Sequence, residues 1–180
     1  LGQRELAIAN IIRSIYIVLL IPVQALSTTA NTLVSNLIGA GGINHVMKLM
    51  NRISKVSIII VLICIGLLLI KPQFFLSVYT NDPQLVSGSI PSLYIICVAM
   101  FLAAVSNIYF NGISGTGNTQ AALFLETGIL IIYAIYVLWI GLWVKAPVYI
   151  CFTAEILYYV FMLFASVIYL KKAKWQNKRI

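Results

Sequence analysis

Four side-chain carboxylates serve the whole chain: Glu5, Asp82, Glu126 and Glu155. Asp82 lies in "TNDPQ", where a turn accounts for it. Glu126, in "ALFLETGILIIY", and Glu155, in "YICFTAEILYYVF", interrupt segments that are otherwise free of charge. A carboxylate among apolar residues loses hydration, so its protonation depends on the cations and donors around it. Within a membrane span such a group is suited to bind and release H⁺ or Na⁺. It can equally be a structural hydrogen-bond partner: Tyr158 and Tyr159 lie one turn from Glu155, and Tyr133 lies two turns from Glu126. Arg13, in "ANIIRSIYIVLL", is the matching cation. It is hydrated in a pathway, paired with one of these carboxylates, or snorkels to the outer interface.

Other chemistry is poorly supplied. The chain has no HExxH, GxSxG or Walker loop, no aspartate cluster for phosphoryl transfer, and His45 as its one histidine. An enzyme is therefore not expected, nor a metal or a cofactor. Cys64, Cys97 and Cys151 fall inside apolar runs without a CxxC and read as buried thiols. The Gly-rich stretch "NGISGTGNTQAA", 111–122, lacks the lysine and the strand–loop–helix context of a phosphate loop. It reads as a flexible loop turned by Gly112, Gly115 and Gly117, with Asn118 or Thr119 capping the next helix.

The elements that must position the acids are membrane helices. Hydrophobic residues make up 62% of the 180 and charged residues 9%. Soluble domains carry about 25% charged residues, so this is an all-α integral membrane protein. A helix needs about 20 mostly apolar residues to cross the hydrocarbon. Five stretches qualify, at about 6–38, 53–79, 90–112, 121–144 and 146–170, followed by a basic tail at 171–180. The runs are long and lack period-two alternation, which excludes strands. The tight junction Lys145-Ala146-Pro147 predicts an antiparallel hairpin of the last two helices.

The formal net charge of +8 does not indicate nucleic acid, because the charges lie between apolar runs and form no basic face with interleaved aromatics. With five crossings, Lys48, Arg52 and Lys55 share a side with Lys171, Lys172, Lys174, Lys178 and Arg179, while Arg4, Lys71 and Lys145 lie opposite. The richer side is expected to be cytoplasmic, with the C-terminus inside and Leu1 outside. An outside start without Met leads us to expect an N-terminal part before Leu1.

The first helix carries an unusual load, "PVQALSTTANTLVSN". At about 100° per residue, an eleven-residue step nearly returns to the same line. Arg13, Gln24 and Ser35 are so spaced, and Thr28 and Asn31 fall close to that line. The stripe either borders a water-filled path or joins helices by hydrogen bonds. Pro22 removes a backbone donor and is a candidate hinge.

These residues carry a resemblance. "ELAIANIIRSIYIVLLIPVQALSTTANTLVSNLIGAGG" resembles the eighth helix of MATE (multidrug and toxic compound extrusion) transporters, with its mid-helix Pro, small and polar stretch and glycine-rich cytoplasmic turn. "YFNGISGTGNTQAAL" resembles the family's loop between helices ten and eleven. The resemblance implies that the chain supplies helices eight to twelve of a twelve-helix, two-lobe transporter, and so most of its C-terminal lobe. It also implies a bacterial inner-membrane antiporter that exports amphipathic, often cationic drugs in exchange for H⁺ or Na⁺ by alternating access. Membrane lipids, small-molecule drugs and the absent N-terminal lobe, in cis or in trans, are the expected partners. The expected pathway residues are Arg13, Gln24, Thr28, Asn31, Glu126 and Glu155. The chain departs from the family in lacking the first-helix Asp, the seventh-helix Glu and the tenth-helix Asp of some members. A related lipid-linked saccharide flippase and a non-transporting membrane subunit or fragment are the alternatives.

Overall fold

The computed structural model describes residues 2–172 and is helical throughout, with no strand among them. Helix α1 spans Gln3–Gly39, and a 3₁₀ turn at Ile43–His45 leads into α2, Val46–Ile70. A short α3, Pro72–Ser77, precedes α4, Pro83–Gly115. Helix α5 spans Thr119–Leu138 and continues as a π-helical turn, Trp139–Val144. The single turn α6, Val148–Cys151, leads into α7, Thr153–Lys172. Among the described residues, five helical segments are long and apolar enough to cross a membrane: Gln3–Gly39, Ile43–Ile70, Pro83–Gly115, Thr119–Val144 and Val148–Lys172.

Several helix ends differ from the expected boundaries, each for a local reason. Pro72 disfavours helical geometry at the residue before it, and Lys71 accordingly sits at φ −142°. The second span therefore ends at Ile70, and residues 72–77 form a separate turn of helix. Helix α4 begins at Pro83, seven residues before the expected Ile90, because Asp82 caps it by accepting the Gln84 N–H at 2.8 Å and proline suits the first helical position. Pro91 then falls inside the helix. Lys48, Arg52 and Lys55, expected in a loop, lie on the exposed face of α2, since nothing after Gly42 breaks the helix. The expected flexible loop at 111–122 is also mostly helical: α4 runs to Gly115 and α5 starts at Thr119. Gly117, at φ 78°, turns the chain between them, and Asn118 caps α5 by accepting the Ala121 N–H at 3.4 Å. Lys171 and Lys172 end α7. The rest of the basic tail, 173–180, lies outside the described residues.

Helix α4 is the central element, and α1 and α7 make the most extensive contacts with it. Its buried side includes Ser89, Ser92, Ala99, Ala103, Ala104, Ser106, Gly112 and Gly115. Small residues let helix backbones approach closely where lipid supplies no hydrophobic force between helices. At Gly115 the neighbour is backbone: an added Cβ would lie 2.7 Å from the Asn31 carbonyl oxygen and 2.9 Å from the Val34 Cβ.

The buried residues form clusters ordered along the helices. One holds Ile8, Ile12 and Ile15 of α1 with Leu68, Leu76, Leu93 and Val148. Another holds Val34, Val46, Met50, Ile113, Ala122 and Leu170. The ends of α1, α4 and α7 thus meet the starts of α2 and α5 at one end of the bundle. Lys48, Arg52, Lys55, Lys171 and Lys172 flank that end, and Arg4, Lys71 and Lys145 flank the other. A third cluster, with Ala99, Ala103, Ile129, Tyr159 and Met162, lies between α4, α5 and α7.

Candidate functional site

Glu155 lies in the first turn of α7 and is half-buried. Its Oε2 accepts the Tyr16 hydroxyl of α1 at 2.9 Å, and its Oε1 accepts the Tyr133 hydroxyl of α5 at 3.0 Å. Tyr16 is also 2.5 Å from the Tyr159 hydroxyl. Since the Tyr16 proton points at Glu155, Tyr159 donates to Tyr16. A directed chain results: Tyr159 to Tyr16 to Glu155, with Tyr133 donating from the other side. Asn107, buried on α4, interacts with the Tyr159 side chain. One carboxylate thereby connects α1, α5 and α7.

Tyr158 packs edge-on against both Tyr133, with ring centroids 5.8 Å apart, and Tyr159, at 5.2 Å. It stands within electrostatic reach of Glu126 and of Glu155. Glu126 is half-buried on α5, and the two carboxylates share no direct hydrogen bond among the described residues. A neighbouring bond, Tyr136 to Thr153 at 3.0 Å, holds the C-terminal part of α5 against the start of α7.

Arg13 is exposed on α1, one turn before Tyr16, and no carboxylate among the described residues pairs with it. Gln24 and Thr28 are exposed as well. The buried line of α1 is Ile8, Ile12, Ile15, Val23, Ser27, Ala30 and Val34, and it packs on α4. The polar stripe thus lies largely on the side of α1 turned away from that contact. The threonine hydroxyls of this stretch, on the stripe and beside it, are met within the helix: Thr28 donates to the Ala25 carbonyl at 2.9 Å, Thr29 to that of Ala25 at 2.8 Å, and Thr32 to that of Thr28 at 3.2 Å. Ser35 is the member that joins helices, donating to the Gly115 carbonyl at 3.0 Å. Asn31 is half-buried beside the same crossing. Of the two roles considered for the stripe, joining helices therefore applies at Ser35 and not at Gln24 or Thr28 within this chain. Pro22 is half-buried, and α1 continues as helix on both sides of it.

Sequence reasoning placed Tyr158 and Tyr159 near Glu155, but it set Tyr133 beside Glu126, whereas Tyr133 donates to Glu155, and it missed Tyr16 and Asn107. Tyr16 lies 139 residues from Glu155, and no periodicity links them. The available signal was weak: Tyr16 and Asn107 are polar-tipped residues within apolar spans.

No group of three or more His, Cys, Asp or Glu among the described residues is arranged to hold a metal ion. The profile of the family described as MatE matches residues 1–140. No curated protein and no solved structure matches the chain. The family match covers most of the 180 residues, and the five membrane-length helices agree with it. The chain belongs to the MatE family and is a multi-pass membrane protein of the transporter type.

Proposed function

We propose that this chain works as part of a multidrug efflux antiporter, exporting amphipathic or cationic compounds in exchange for an inward ion. In this reading it forms most of one lobe, the C-terminal one, and alternates access together with a second lobe. The membrane is the bacterial inner membrane. The end carrying Lys48, Arg52, Lys55, Lys171 and Lys172 is cytoplasmic, because basic side chains are retained on that side.

The observation that carries the reading is Glu155, a membrane carboxylate hydrogen-bonded to two other helices. We take H⁺ as the coupling ion. A proton on Glu155 Oε2 has to be donated outward, so the Tyr16 hydroxyl must turn and donate to Tyr159 instead. Protonation thereby reverses the order of the hydrogen bonds between α1 and α7. Two arrangements of nearly equal contacts at one helix pair form a switch that ion binding biases. Glu126, through Tyr158, extends the polar cluster along α5. Pro22 gives α1 its point of flexion, and Arg13, Gln24, Thr28 and Asn31 border the path of the drug.

The test is Glu155→Gln in the intact transporter, assayed by ethidium efflux from cells and by proton movement in proteoliposomes. The expected result is loss of both, with a normal amount of protein in the membrane. Full efflux by the variant overturns the role of Glu155. Efflux that follows a Na⁺ gradient and ignores a pH gradient overturns H⁺ as the coupling ion.

A further inference from the structure

At the end of the bundle where α1 meets α2, an open pocket of about 550 Å³ is lined by Leu33, Asn36 and Leu37 of α1 and by His45, Lys48, Leu49 and Arg52. Its two kinds of wall are distinct. His45, Lys48 and Arg52 are spaced three and four residues apart, so they stand along one face of the helix. Leu33, Leu37 and Leu49 supply the apolar wall. None of the chain's four acidic residues lines the pocket. Lys48 and Arg52 are exposed and have no ion pair among the described residues.

An apolar wall with unpaired cations at the end of membrane helices fits one chemistry well. We propose that this pocket binds an anionic phospholipid, with its phosphodiester held by Lys48 and Arg52 and an acyl chain lying against Leu33, Leu37 and Leu49. The guanidinium of Arg52 suits two phosphate oxygens at once, and Lys48 adds a point charge. Basic pockets between membrane helices are suited to anionic head groups. Asn36 supplies an amide for the glycerol or head-group hydroxyls. The occupied pocket ties the end of α1 to the start of α2 and so restrains the inner half of the polar helix. This inference does not depend on the efflux reading.

The test is native mass spectrometry of the full chain in detergent, supplied with equal amounts of dioleoylphosphatidylglycerol and dioleoylphosphatidylcholine. The expected result is a single retained phosphatidylglycerol, held in preference to phosphatidylcholine. K48Q/R52Q weakens its retention about thirtyfold, the change that about 1 kcal/mol per basic side chain produces. L33W, which fills the apolar wall and leaves the charges in place, also weakens it. K171Q/K172Q removes the same charge from the same end of the bundle, outside the pocket, and leaves retention unchanged. Thermal unfolding in phosphatidylcholine micelles checks that each variant is folded. Equal retention of the two lipids, or an equal effect of K171Q/K172Q, overturns the proposal. Displacement of the lipid by millimolar inorganic phosphate, with no effect of L33W, assigns the pocket to free phosphate and overturns the lipid.

Discussion

The hydroxyl of Tyr16 lies 2.9 Å from the carboxylate of Glu155 and joins α1 to α7 across the face of α4. A side-chain bond between membrane helices contributes about 1 kcal/mol. Tyr16→Phe and Glu155→Gln are each expected to lower stability by about that amount, with a coupling of similar size in the double-mutant cycle. Unfolding of the purified protein in mixed micelles measures this. A coupling of zero would show that the bond contributes nothing.

Gly115 and Gly128 predict opposite outcomes for the same substitution. A methyl at 115 meets the Asn31 carbonyl oxygen at 2.7 Å, and backbone cannot swing aside as a side chain does. Gly115→Ala is expected to destabilise by about 1–3 kcal/mol and to loosen the Ser35 bond. Position 128 has nothing within 4 Å and lies inside α5, so Gly128→Ala is expected to stabilise by up to about 1 kcal/mol. Thermal midpoints of the two variants settle the comparison.

Gln24 and Thr28 lie on the open side of α1. Under the efflux reading, Gln24→Leu with Thr28→Val should reduce drug export several-fold while membrane insertion and thermal stability stay normal. Asn31→Leu is expected to lower stability as well, because Asn31 adjoins the α1–α4 crossing. Dye efflux and melting curves run in parallel separate the two effects. Undiminished efflux in the double variant removes this face from the drug path.

Lys145 is the one non-glycine residue with positive φ among those described, at φ 49° and ψ 42°. Left-handed geometry costs an L-residue roughly 1–2 kcal/mol, partly offset in glycine by the entropy it loses on folding. Lys145→Gly is therefore expected to raise stability by about 0.5 kcal/mol, and Lys145→Val to lower it by about 1 kcal/mol. Chemical denaturation in micelles gives both values.

The proposed orientation is tested by single cysteines at Lys55 and Lys71, with Cys64, Cys97 and Cys151 replaced by serine. A membrane-impermeant maleimide applied to intact cells should label the cysteine at position 71 and leave the one at position 55 untouched. The reverse pattern inverts the topology.

The sequence by itself determined that the chain is a membrane protein, and the approximate positions of its five long helices. Hydropathy adds up residue by residue, and a run of about 20 apolar residues has little choice but to span the hydrocarbon. The separation of basic residues between the two ends followed in turn from counting crossings. The stripe on α1 was legible because it is polar against an apolar background, and eleven-residue spacing is a property of one helix alone. Which side of α1 the stripe occupies was decided only by the packing of Ile12, Val23, Ala30 and Val34 on α4. The partners of Glu155 were likewise decided by tertiary structure, since Tyr16 and Tyr133 meet it only when α1 and α5 take their rotation and height against α7. Helices that are apolar all round do not reveal that rotation, because lipid and protein interior favour the same side chains.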